Sequence, residues 1–296
     1  MGSMDTRNAT PSNSAPSPAQ LRELAIQLVD DAAALVAKQR DFLARHGSIA
    51  QVTTTKSSPV DPVTAVDKAA EARVVDRLRE LRPGDAIMGE EGADQEGTTG
   101  VTWVVDPIDG TVNFLYGLPM YAVSVGAAVD GELVAGAVAN VASGDVYSAV
   151  AGGGAWVRRG GAETRLRASR ANDPSTALVA TGFAYDAQWR AVQADILTRV
   201  LPLVRDIRRY GSASLDLCHL AEGKVDAYYE HGTHPWDYAA GAVIAAEAGA
   251  VVHHPGLTDR GGEGALVAAA APRLWEPFSE LLSASGAWGN LPALQG

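Results

Sequence analysis

Cysteine is almost absent from this chain, which has one cysteine among 296 residues. A disulfide within the chain is therefore excluded, and Cys218, inside a helical pattern, is predicted to be a small buried hydrophobic residue rather than a nucleophile. Long apolar runs are also missing, so no segment has the length of a membrane span, and the start lacks the apolar core of a signal peptide. These absences predict a cytoplasmic protein.

Positive charge is in deficit, because 24 Lys and Arg residues stand against 35 Asp and Glu residues, for a formal net charge of −11. A surface of this sign repels nucleic acid and anionic membranes, so we expect neither as a direct partner. An anionic ligand would have to be attracted by bound cations. The remaining composition, with 47% hydrophobic and 20% charged residues, is typical of a folded domain with a large core.

The chain divides by pattern into a tail and two halves. Residues 1–18 open with M-G-S before Met4, which is typical of an expression scar, and are rich in Ser, Pro, Asn and Ala without a period, so disorder is predicted there. Residues 19–150 predict paired helices followed by an antiparallel sheet, and residues 151–288 predict alternating helices and strands. With no repeat and no long linker, the halves are predicted to form one inseparable unit.

The individual elements follow from hydrophobic period and turn residues. The predicted helices are 18–45, 63–81, 190–204, 212–222 and 236–248, and the predicted strands are 121–129, 133–141, 146–150, 206–209 and 227–230. Asp130-Gly131, between the first two of these strands, is typical of a hairpin turn.

One segment, W-V-V-D-P-I-D-G-T-V-N-F, places two carboxylates at the end of an apolar strand. The strand is predicted to end at Pro107, which lacks a backbone donor, so that Asp106 and Asp109 meet on a tight turn. Two hard cations use acids this close together, because one carboxylate can bridge both ions. The amides of Gly110 and Thr111, at a possible helix start, could accept an anion. Alternatively, the turn is an Asx-type cap whose acids face water.

Two further carboxylates lie at the ends of other predicted elements. Glu90 follows the apolar strand Ile87-Met88-Gly89, and Asp237 stands at the start of a helical run. Together with the two aspartates above, they supply the four acids that a phosphatase centre with two or three metals requires. Taken one at a time, each acid could instead be a helix cap.

The segments G-E-E, W-V-V-D-P-I-D-G-T-V-N-F and W-D-Y-A-A-G together resemble the inositol monophosphatase family of magnesium-dependent, lithium-sensitive phosphatases, and most of all its bacterial SuhB-type branch. They stand in the family's order, and the resemblance extends from about Lys56 to Gly249. It implies an α+β or α/β fold, a layered αβαβα sandwich of the inositol monophosphatase/fructose-1,6-bisphosphatase type, with the site between its halves. It also implies hydrolysis of myo-inositol 1-phosphate and related inositol monophosphates by a water that magnesium activates.

The resemblance implies the ligands of two or three Mg²⁺ ions. Glu90, Asp106 and the carbonyl of Ile108 would hold one ion. Asp106, Asp109 and Asp237 would hold a second, and Glu90 would also reach a third, more loosely held ion.

The resemblance further implies which residues act on the substrate phosphate. Thr111, with Glu90, would orient the attacking water, and Asp67 would pair with this threonine. The amides of Gly110 and Thr111 would hold phosphate oxygens. Lys56 corresponds to a lysine on a mobile loop over the site.

A second group of residues would form the substrate pocket. Glu230 lies seven positions before Asp237, which is the offset of the family's glutamate that hydrogen-bonds inositol hydroxyls. A carboxylate suits a polyol because it accepts hydroxyl protons and donates none. Gly211, Ser212 and Ala213 resemble the segment that lines the sugar pocket. Without the resemblance, Glu230 is interpreted as a surface acid.

Histidines near these motifs could suggest a transition metal; they are His231, His234, His253 and His254. Hard oxygen ligands outnumber them at every motif, and magnesium sites avoid imidazole, so we expect a magnesium site. His234 is interpreted as a structural residue beside the ligands.

Several functions remain open at this level. The wider superfamily includes fructose-1,6-bisphosphatases and phosphatases of adenosine 3′,5′-bisphosphate, histidinol phosphate and NADP. SuhB-type proteins can also act as partners of the transcription machinery. The sequence leaves open the preferred inositol phosphate, the number of metals occupied and the oligomeric state, for which the resemblance suggests a homodimer.

Overall fold

The computed structural model describes residues 16–46, 53–55, 62–259 and 261–294. Most of the predicted tail 1–18 and the predicted loop residue Lys56 therefore lie outside the described residues. Within the described part, no helix is both long and apolar enough to cross a lipid bilayer.

Seven α-helices and fourteen strands form the described part of the chain. The helices are α1 (Pro18–His46), α2 (Ala65–Leu81), α3 (Thr111–Tyr116), α4 (Ala187–Val200), α5 (Ala213–Ala221), α6 (Pro235–Glu247) and α7 (Trp275–Ala284). The strands are β1 (Thr53–Thr55), β2 (Pro62–Thr64), β3 (Ala86–Gly89), β4 (Val101–Asp109), β5 (Ala122–Val129), β6 (Glu132–Asn140), β7 (Asp145–Val150), β8 (Gly154–Arg159), β9 (Ala162–Arg165), β10 (Leu178–Thr181), β11 (Asp206–Arg208), β12 (Ala227–His231), β13 (Val251–His253) and β14 (Leu266–Ala270).

Two large sheets alternate with three layers of helices. Helices α1 and α2 pack on one face of a seven-stranded sheet through a core that includes Leu28 and Trp103. Helices α5 and α6 fill the space between this sheet and a five-stranded sheet. Helices α4 and α7 cover the outer face of the five-stranded sheet, where Ile196 and Phe278 are buried. This order of layers confirms the predicted αβαβα sandwich.

The seven-stranded sheet has the order β3-β4-β5-β6-β7-β8-β9, and only the β3–β4 pair is parallel among its neighbours. The predicted meander is present, and the turn at Asp130-Gly131 has φ angles of 50° and 88°. Positive φ at both central residues is the conformation of a type I′ hairpin turn. The sheet continues through β9, so its strands lie on both sides of residue 150, where the two halves were predicted to divide.

The five-stranded sheet has the order β11-β10-β12-β14-β13, with β10 parallel to both of its neighbours. The predicted helix 190–204 begins earlier, at Ala187, because the side chain of Asp186 accepts the backbone hydrogens of Gln188 and Trp189. It ends earlier too, at Val200, and a short 3₁₀ turn follows (Leu201–Leu203).

The prediction that Pro107 ends its strand is wrong. Strand β4 runs through this proline to Asp109, and the pairing with β5 shifts between Asp106 and Asp109. Asp106 faces Ser124 while Asp109 faces Ala122, so β4 has one extra residue there. A bulge of this kind tolerates a missing backbone donor and redirects the side chains beside it.

Helix α6 packs closely on the seven-stranded sheet. Gly126 and Gly136 pair across β5 and β6 directly beneath it. A Cβ atom at Gly136 would stand 2.8 Å from the Cα of Ala240, and one at Gly126 would stand 3.0 Å from the Cβ of Ala239. Larger side chains at these two positions would push the helix outward. Since Asp237 is in the first turn of α6, the two glycines help to set its distance from the end of β4.

Candidate active site and metal centre

Three aspartates from two distant segments meet at one point. Asp106 and Asp109, on β4, and Asp237, on α6, each offer a carboxylate oxygen, and these oxygens lie within 4.8 Å of one another. Asp106 is 1% exposed and Asp109 is 8% exposed. Three anionic groups this close together, two of them buried and Asp237 half-buried, repel one another unless cations or protons neutralise them.

Glu90 joins this cluster because of the parallel pairing of β3 with β4. Gly89 stands opposite Val105, and the next residue, Glu90, donates its backbone N–H to the Val105 carbonyl at 3.2 Å. The carboxyl ends of the two strands therefore coincide, and the Glu90 side chain hydrogen-bonds to that of Asp106. All four predicted acids come together.

The pKa of the Asp106 carboxyl is raised well above its usual range, first by burial and then by the charge of Glu90. Burial also raises the pKa of Asp237 well above its usual range, with Asp109 and Glu90 adding to the shift. In the metal-free protein these groups hold protons more tightly than free carboxylic acids do. A divalent cation would reverse the shift, because it stabilises the ionised forms.

Asp109 is oriented by the start of helix α5. Its Oδ2 accepts hydrogen bonds from the hydroxyl of Ser212 at 2.6 Å, from the backbone N–H of Ser214 at 2.8 Å and from the Ser214 hydroxyl. Burial raises the pKa of Asp109, and these serine hydrogen bonds oppose that shift. With Oδ2 occupied by three donors, Oδ1 is the oxygen left to face the other carboxylates.

Asp237 is fixed by its own helix. Its Oδ2 accepts the backbone N–H of His234 at 2.7 Å, which is the reciprocal half of a capping interaction at the start of α6. The His234 ring stacks on Trp236, with centroids 4.7 Å apart. His234 therefore supports the helix start, in agreement with the structural interpretation.

Thr111 and Asp67 form the predicted pair. The Thr111 hydroxyl lies 3.2 Å from Oδ1 of Asp67 and 3.0 Å from the Ile108 carbonyl. Asp67 is completely buried in the first turn of α2. Gly110, just before Thr111, has a φ of 92°, and a Cβ there would stand 2.8 Å from the Met120 carbonyl. Only glycine fits this turn without strain.

A pocket of about 570 Å³ opens above these residues. Its lining includes the acids and the turn just described, the predicted segment Gly211–Ala213 and Glu230. Phe183, Tyr185 and Leu294 contribute an apolar wall. The side-chain amide of Asn113, in α3, donates to the carbonyls of Tyr210 at 2.7 Å and Gly211 at 3.3 Å, which connects α3 to the pocket segment.

Glu230 lies inside the pocket rather than on the outer surface. The Tyr228 hydroxyl donates to its Oε2 at 3.0 Å, and its carboxylate packs directly against Gly182. Burial raises the pKa of Glu230 to about 7, although the positive charge of Arg209 and the Tyr228 hydrogen bond oppose the shift. The alternative of a surface acid is therefore wrong for this residue.

Sequence reasoning missed four residues around the site: Gly182, Arg209, Ser214 and Tyr228. Arg209 is the single Lys or Arg among the described residues that line the pocket. Ser214 had only a general signal, because serine is favoured near helix starts. Gly182 had no signal in the sequence, because its contact with Glu230 depends on how β10 and β12 pair.

Of the other histidines and the cysteine, His231 lines the pocket, while His253, His254 and Cys218 do not. His231 makes a 2.8 Å hydrogen bond between Nε2 and the Ala287 carbonyl. His253 stacks on Trp288. Cys218 is fully buried in α5, as predicted, and burial raises the pKa of its thiol well above the usual range. A thiol in this state is not a nucleophile.

The donor set of the cluster consists of carboxylate oxygens and a nearby backbone carbonyl, that of Ile108. Hard oxygen ligands of this kind suit Mg²⁺ and similar divalent cations, and not the softer transition metals that prefer imidazole or thiolate. The raised carboxyl pKa values show that the cluster is short of positive charge. The residues present therefore fit a divalent metal centre.

Residues 17–286 match the Inositol monophosphatase family. The Mycobacterium tuberculosis protein described as Inositol-1-monophosphatase SuhB is 51% identical over 276 residues, which are 90% of this chain and 93% of that protein. The solved structure of Mycobacterium tuberculosis SuhB has a TM-score of 0.78 and 45% identity, covering 92% of this chain and 98% of that chain. The Escherichia coli protein described as Nus factor SuhB is 39% identical over 203 residues, or 68% of this chain and 74% of that protein.

The chain belongs to the inositol monophosphatase family. The resemblance drawn from three short segments is confirmed over nearly the whole length, and so is the fold it implied. The chain is therefore an enzyme of the phosphatase class.

Proposed function

We propose that this chain is a magnesium-dependent phosphomonoesterase that hydrolyses myo-inositol 1-phosphate and related inositol monophosphates to inositol and phosphate. The observation that carries the proposal is the carboxylate cluster of Asp106, Asp109 and Asp237 at the base of a pocket that also holds Glu230. The first three groups supply a metal centre, and the fourth supplies an acceptor for ring hydroxyls. The description of the Mycobacterium tuberculosis relative as an inositol-1-monophosphatase supports the same reaction.

The metal assignment proposed for this chain has two principal ions. Glu90, Asp106 and the Ile108 carbonyl would hold one, Asp106, Asp109 and Asp237 the other, and Glu90 would reach a third. When bound, the cations would neutralise charge on the phosphate and supply a nucleophile at neutral pH. Asp106 is central because it belongs to both sets.

The protein's own residues position the reactants. We assign Thr111 and Glu90 to orient the attacking water, because the Thr111 hydroxyl is held between the Asp67 carboxyl and the Ile108 carbonyl. Asp67 can receive the hydroxyl hydrogen of Thr111, so the threonine oxygen can accept a hydrogen from the water. The amides of Gly110 and Thr111 are assigned to the phosphate oxygens.

Glu230 and the segment Gly211–Ala213 are assigned to the polyol. Glu230 accepts a hydrogen bond from Tyr228, which fixes its carboxylate within the pocket. A fixed acceptor discriminates in favour of substrates with hydroxyl groups at matching positions, because an unmatched buried carboxylate is left without a partner.

Several finer assignments accompany the proposal. Lys56 keeps its predicted role on a loop above the site. A cytoplasmic location and a homodimer also stay predictions. Partnership with the transcription machinery stays an alternative, and the Escherichia coli relative is described as a Nus factor.

The test is a kinetic screen with Mg²⁺ present and absent. Phosphate release would be measured from myo-inositol 1-phosphate, fructose 1,6-bisphosphate, adenosine 3′,5′-bisphosphate, histidinol phosphate and NADP. We expect the highest kcat/KM with the inositol phosphate, activity that requires Mg²⁺, and loss of turnover by about 10²- to 10³-fold in Asp106→Asn. A magnesium-independent activity, or a preference for another phosphate, would contradict the proposal.

Arg209 favours a second candidate function, hydrolysis of a sugar bisphosphate such as fructose 1,6-bisphosphate. It is the single basic side chain among the described pocket residues, and its charge acts on Glu230. A guanidinium in this place could bind a second phosphate group. If so, Arg209→Gln would lower kcat/KM for the bisphosphate by about tenfold or more and leave inositol 1-phosphate nearly unchanged.

A further inference from the structure

We infer that Glu71 is a positioning residue that holds the loop carrying Glu90, so that this carboxylate faces Asp106 and can bind a cation. The inference rests on the proposed function, because it assigns a role to Glu71 in that same metal centre. Glu71 is in the middle of α2, 3% exposed, and it is not among the residues assigned above to metal, phosphate or polyol.

The contacts of Glu71 lie on the loop that follows β3. Its Oε2 accepts the backbone N–H of Glu91 at 2.8 Å, and its Oε1 accepts the backbone N–H of Ala93 at 3.1 Å. Both oxygens of one carboxylate thus bind amides of the same short loop. A Cβ atom at Gly89 would stand 2.6 Å from Oε2, so the carboxylate also packs against the residue just before Glu90.

Glu90 is therefore held on both sides. Before it, Gly89 packs against the Glu71 carboxylate and donates its N–H to Oδ1 of Asp94 at 3.3 Å. At Glu90 itself, the N–H bonds to β4 through the Val105 carbonyl. After it, the Glu91 N–H bonds to Glu71. The direction of the Glu90 side chain depends on these backbone contacts.

A buried carboxylate that accepts backbone amides forms charge-assisted hydrogen bonds, which are stronger than those of a neutral acceptor. The carboxylate of Glu71 matters for a second reason, because both of its oxygens are acceptors. A glutamine in its place has one oxygen and one NH₂ group, so it can accept from one of the two loop amides while its NH₂ opposes the other. Glu71→Gln is thus a small change in shape that breaks the arrangement.

Helix α2 also carries the partner of Thr111. Asp67 and Glu71 are four positions apart, which places them on the same face of the helix. From that face, Asp67 hydrogen-bonds the Thr111 hydroxyl and Glu71 holds the loop of Glu90. Helix α2 therefore orients both Thr111 and Glu90, the two residues assigned to position the attacking water, and it fixes the distance between them.

The experiment compares Glu71→Gln with Glu80→Gln, a matched control. Glu80 is an exposed glutamate on the same helix, paired with Arg77 at 2.6 Å, so the control makes the same charge change away from the loop. Three quantities would be measured: Mg²⁺ affinity by calorimetry, backbone amide exchange at residues 89–93, and kcat as a function of Mg²⁺ concentration.

In Glu71→Gln we expect faster exchange at Glu91 and Ala93 and a Mg²⁺ dissociation constant raised by about 10- to 100-fold, the usual range for residues that orient metal ligands. Most of kcat should return at saturating Mg²⁺, because Glu90 itself is intact. Glu80→Gln should resemble the parent in Mg²⁺ affinity, in amide exchange and in the Mg²⁺ dependence of kcat. If Glu71→Gln does not fold, Gly89→Ala tests the same contact from the other side and should also weaken Mg²⁺ binding.

A double-mutant comparison separates a positioning role from a general effect on the fold. If Glu71 acts through Glu90, adding Glu71→Gln to Glu90→Gln should weaken Mg²⁺ binding no further. The inference would be overturned if Glu71→Gln lowered Mg²⁺ affinity equally in the parent and in the Glu90→Gln variant. It would also be overturned if the Mg²⁺ affinity of Glu71→Gln equalled that of Glu80→Gln. Amide exchange and Mg²⁺ binding are measured without substrate, so failure of the proposed inositol phosphatase activity would appear separately, in the parent enzyme.

Discussion

Ser214 donates both its backbone N–H and its hydroxyl hydrogen to the same carboxylate oxygen of Asp109, which precedes it by 105 positions. The serine is in the first turn of α5, and the aspartate ends strand β4. The contact therefore orients a proposed metal ligand from a second element that is distant in sequence. The site depends on the packing of α5 against the seven-stranded sheet as much as on the β4 motif.

Removing the Ser214 hydroxyl should weaken metal binding. In Ser214→Ala, Oδ2 of Asp109 keeps the backbone donor and Ser212 but loses one hydrogen bond that favours its ionised form. Hydrogen bonds to charged groups contribute roughly 1.5–3 kcal/mol, so we expect a Mg²⁺ dissociation constant about tenfold or more above that of the parent. Calorimetry would measure it. Ser283→Ala, at an exposed serine of α7, is the control, and equal affinities in the two variants would contradict the prediction.

Neutralising Asp106 should stabilise the protein when no metal is present. Its carboxyl is buried beside three other acids, and its raised pKa shows that the ionised form is unfavourable in the fold. Asp106→Asn keeps the shape and removes the charge, so in EDTA near neutral pH we expect a Tm higher by about 2–4 °C or more. Added Mg²⁺ should then raise the Tm of the parent and leave the variant almost unchanged. Thermal unfolding of the parent and the variant, each in EDTA and in Mg²⁺, measures these Tm changes. A variant whose Tm still rises fully with Mg²⁺ would argue against a central role for Asp106.

The stability of the metal-free parent should fall as pH rises. Burial raises the pKa of Glu230 from its ordinary value of 4.5 to about 7, and it also raises the pKa values of Asp106 and Asp237. The folded state then binds more protons than the unfolded state, so stability is greatest below the unfolded pKa values and is lost through the interval up to the folded ones. In EDTA, the Tm should decrease from about pH 5 to about pH 8.

Mg²⁺ should reverse this trend, since it competes with protons for the same oxygens. The difference in Tm between Mg²⁺ and EDTA should grow with pH over the same interval. A difference that is independent of pH would mean that the metal binds elsewhere.

The four acids of the site were predictable because local signals place each one at the end of an element. Asp106 and Asp109 follow an apolar run, Glu90 follows another, and Asp237 begins a helix. Ends of neighbouring parallel strands meet at one edge of a sheet, which accounts for Glu90 and Asp106. The short segments also carried the family resemblance, and through it the layered fold.

The remaining features depend on tertiary packing that no local pattern encodes. The course of β4 through Pro107 requires the bulge against β5, and proline chemistry alone favoured a strand end. The contact of Gly182 with Glu230 requires β10 and β12 to pair in one particular register. The support of the Glu90 loop by Glu71 joins residues about 20 positions apart that belong to different elements.

Lithium should inhibit the enzyme. A small monovalent cation can take the place of the more loosely held Mg²⁺ among these hard oxygens without supplying the same charge. Phosphate release from myo-inositol 1-phosphate would be measured against LiCl, with NaCl at equal ionic strength as the control. We expect inhibition by lithium at about tens of millimolar or below and none by sodium. Equal rates in the two salts would move the chain toward a lithium-insensitive group of the superfamily.

Substrate choice should depend on Glu230 and on its contact with Gly182. If Glu230 accepts hydrogen bonds from inositol hydroxyls, Glu230→Gln should lower kcat/KM for myo-inositol 1-phosphate by roughly 1–3 kcal/mol of transition-state stabilisation. Gly182→Ala should give a loss in the same direction by a different route, because the new methyl group would displace the unaltered Glu230 carboxylate. Hydrolysis of p-nitrophenyl phosphate, which has no ring hydroxyls, should be nearly unchanged in both variants, and so should the Mg²⁺ concentration that gives half-maximal rate. If both substrates lose activity together, Glu230 supports the metal centre or the fold instead, and the preference for inositol phosphates must arise from another part of the pocket.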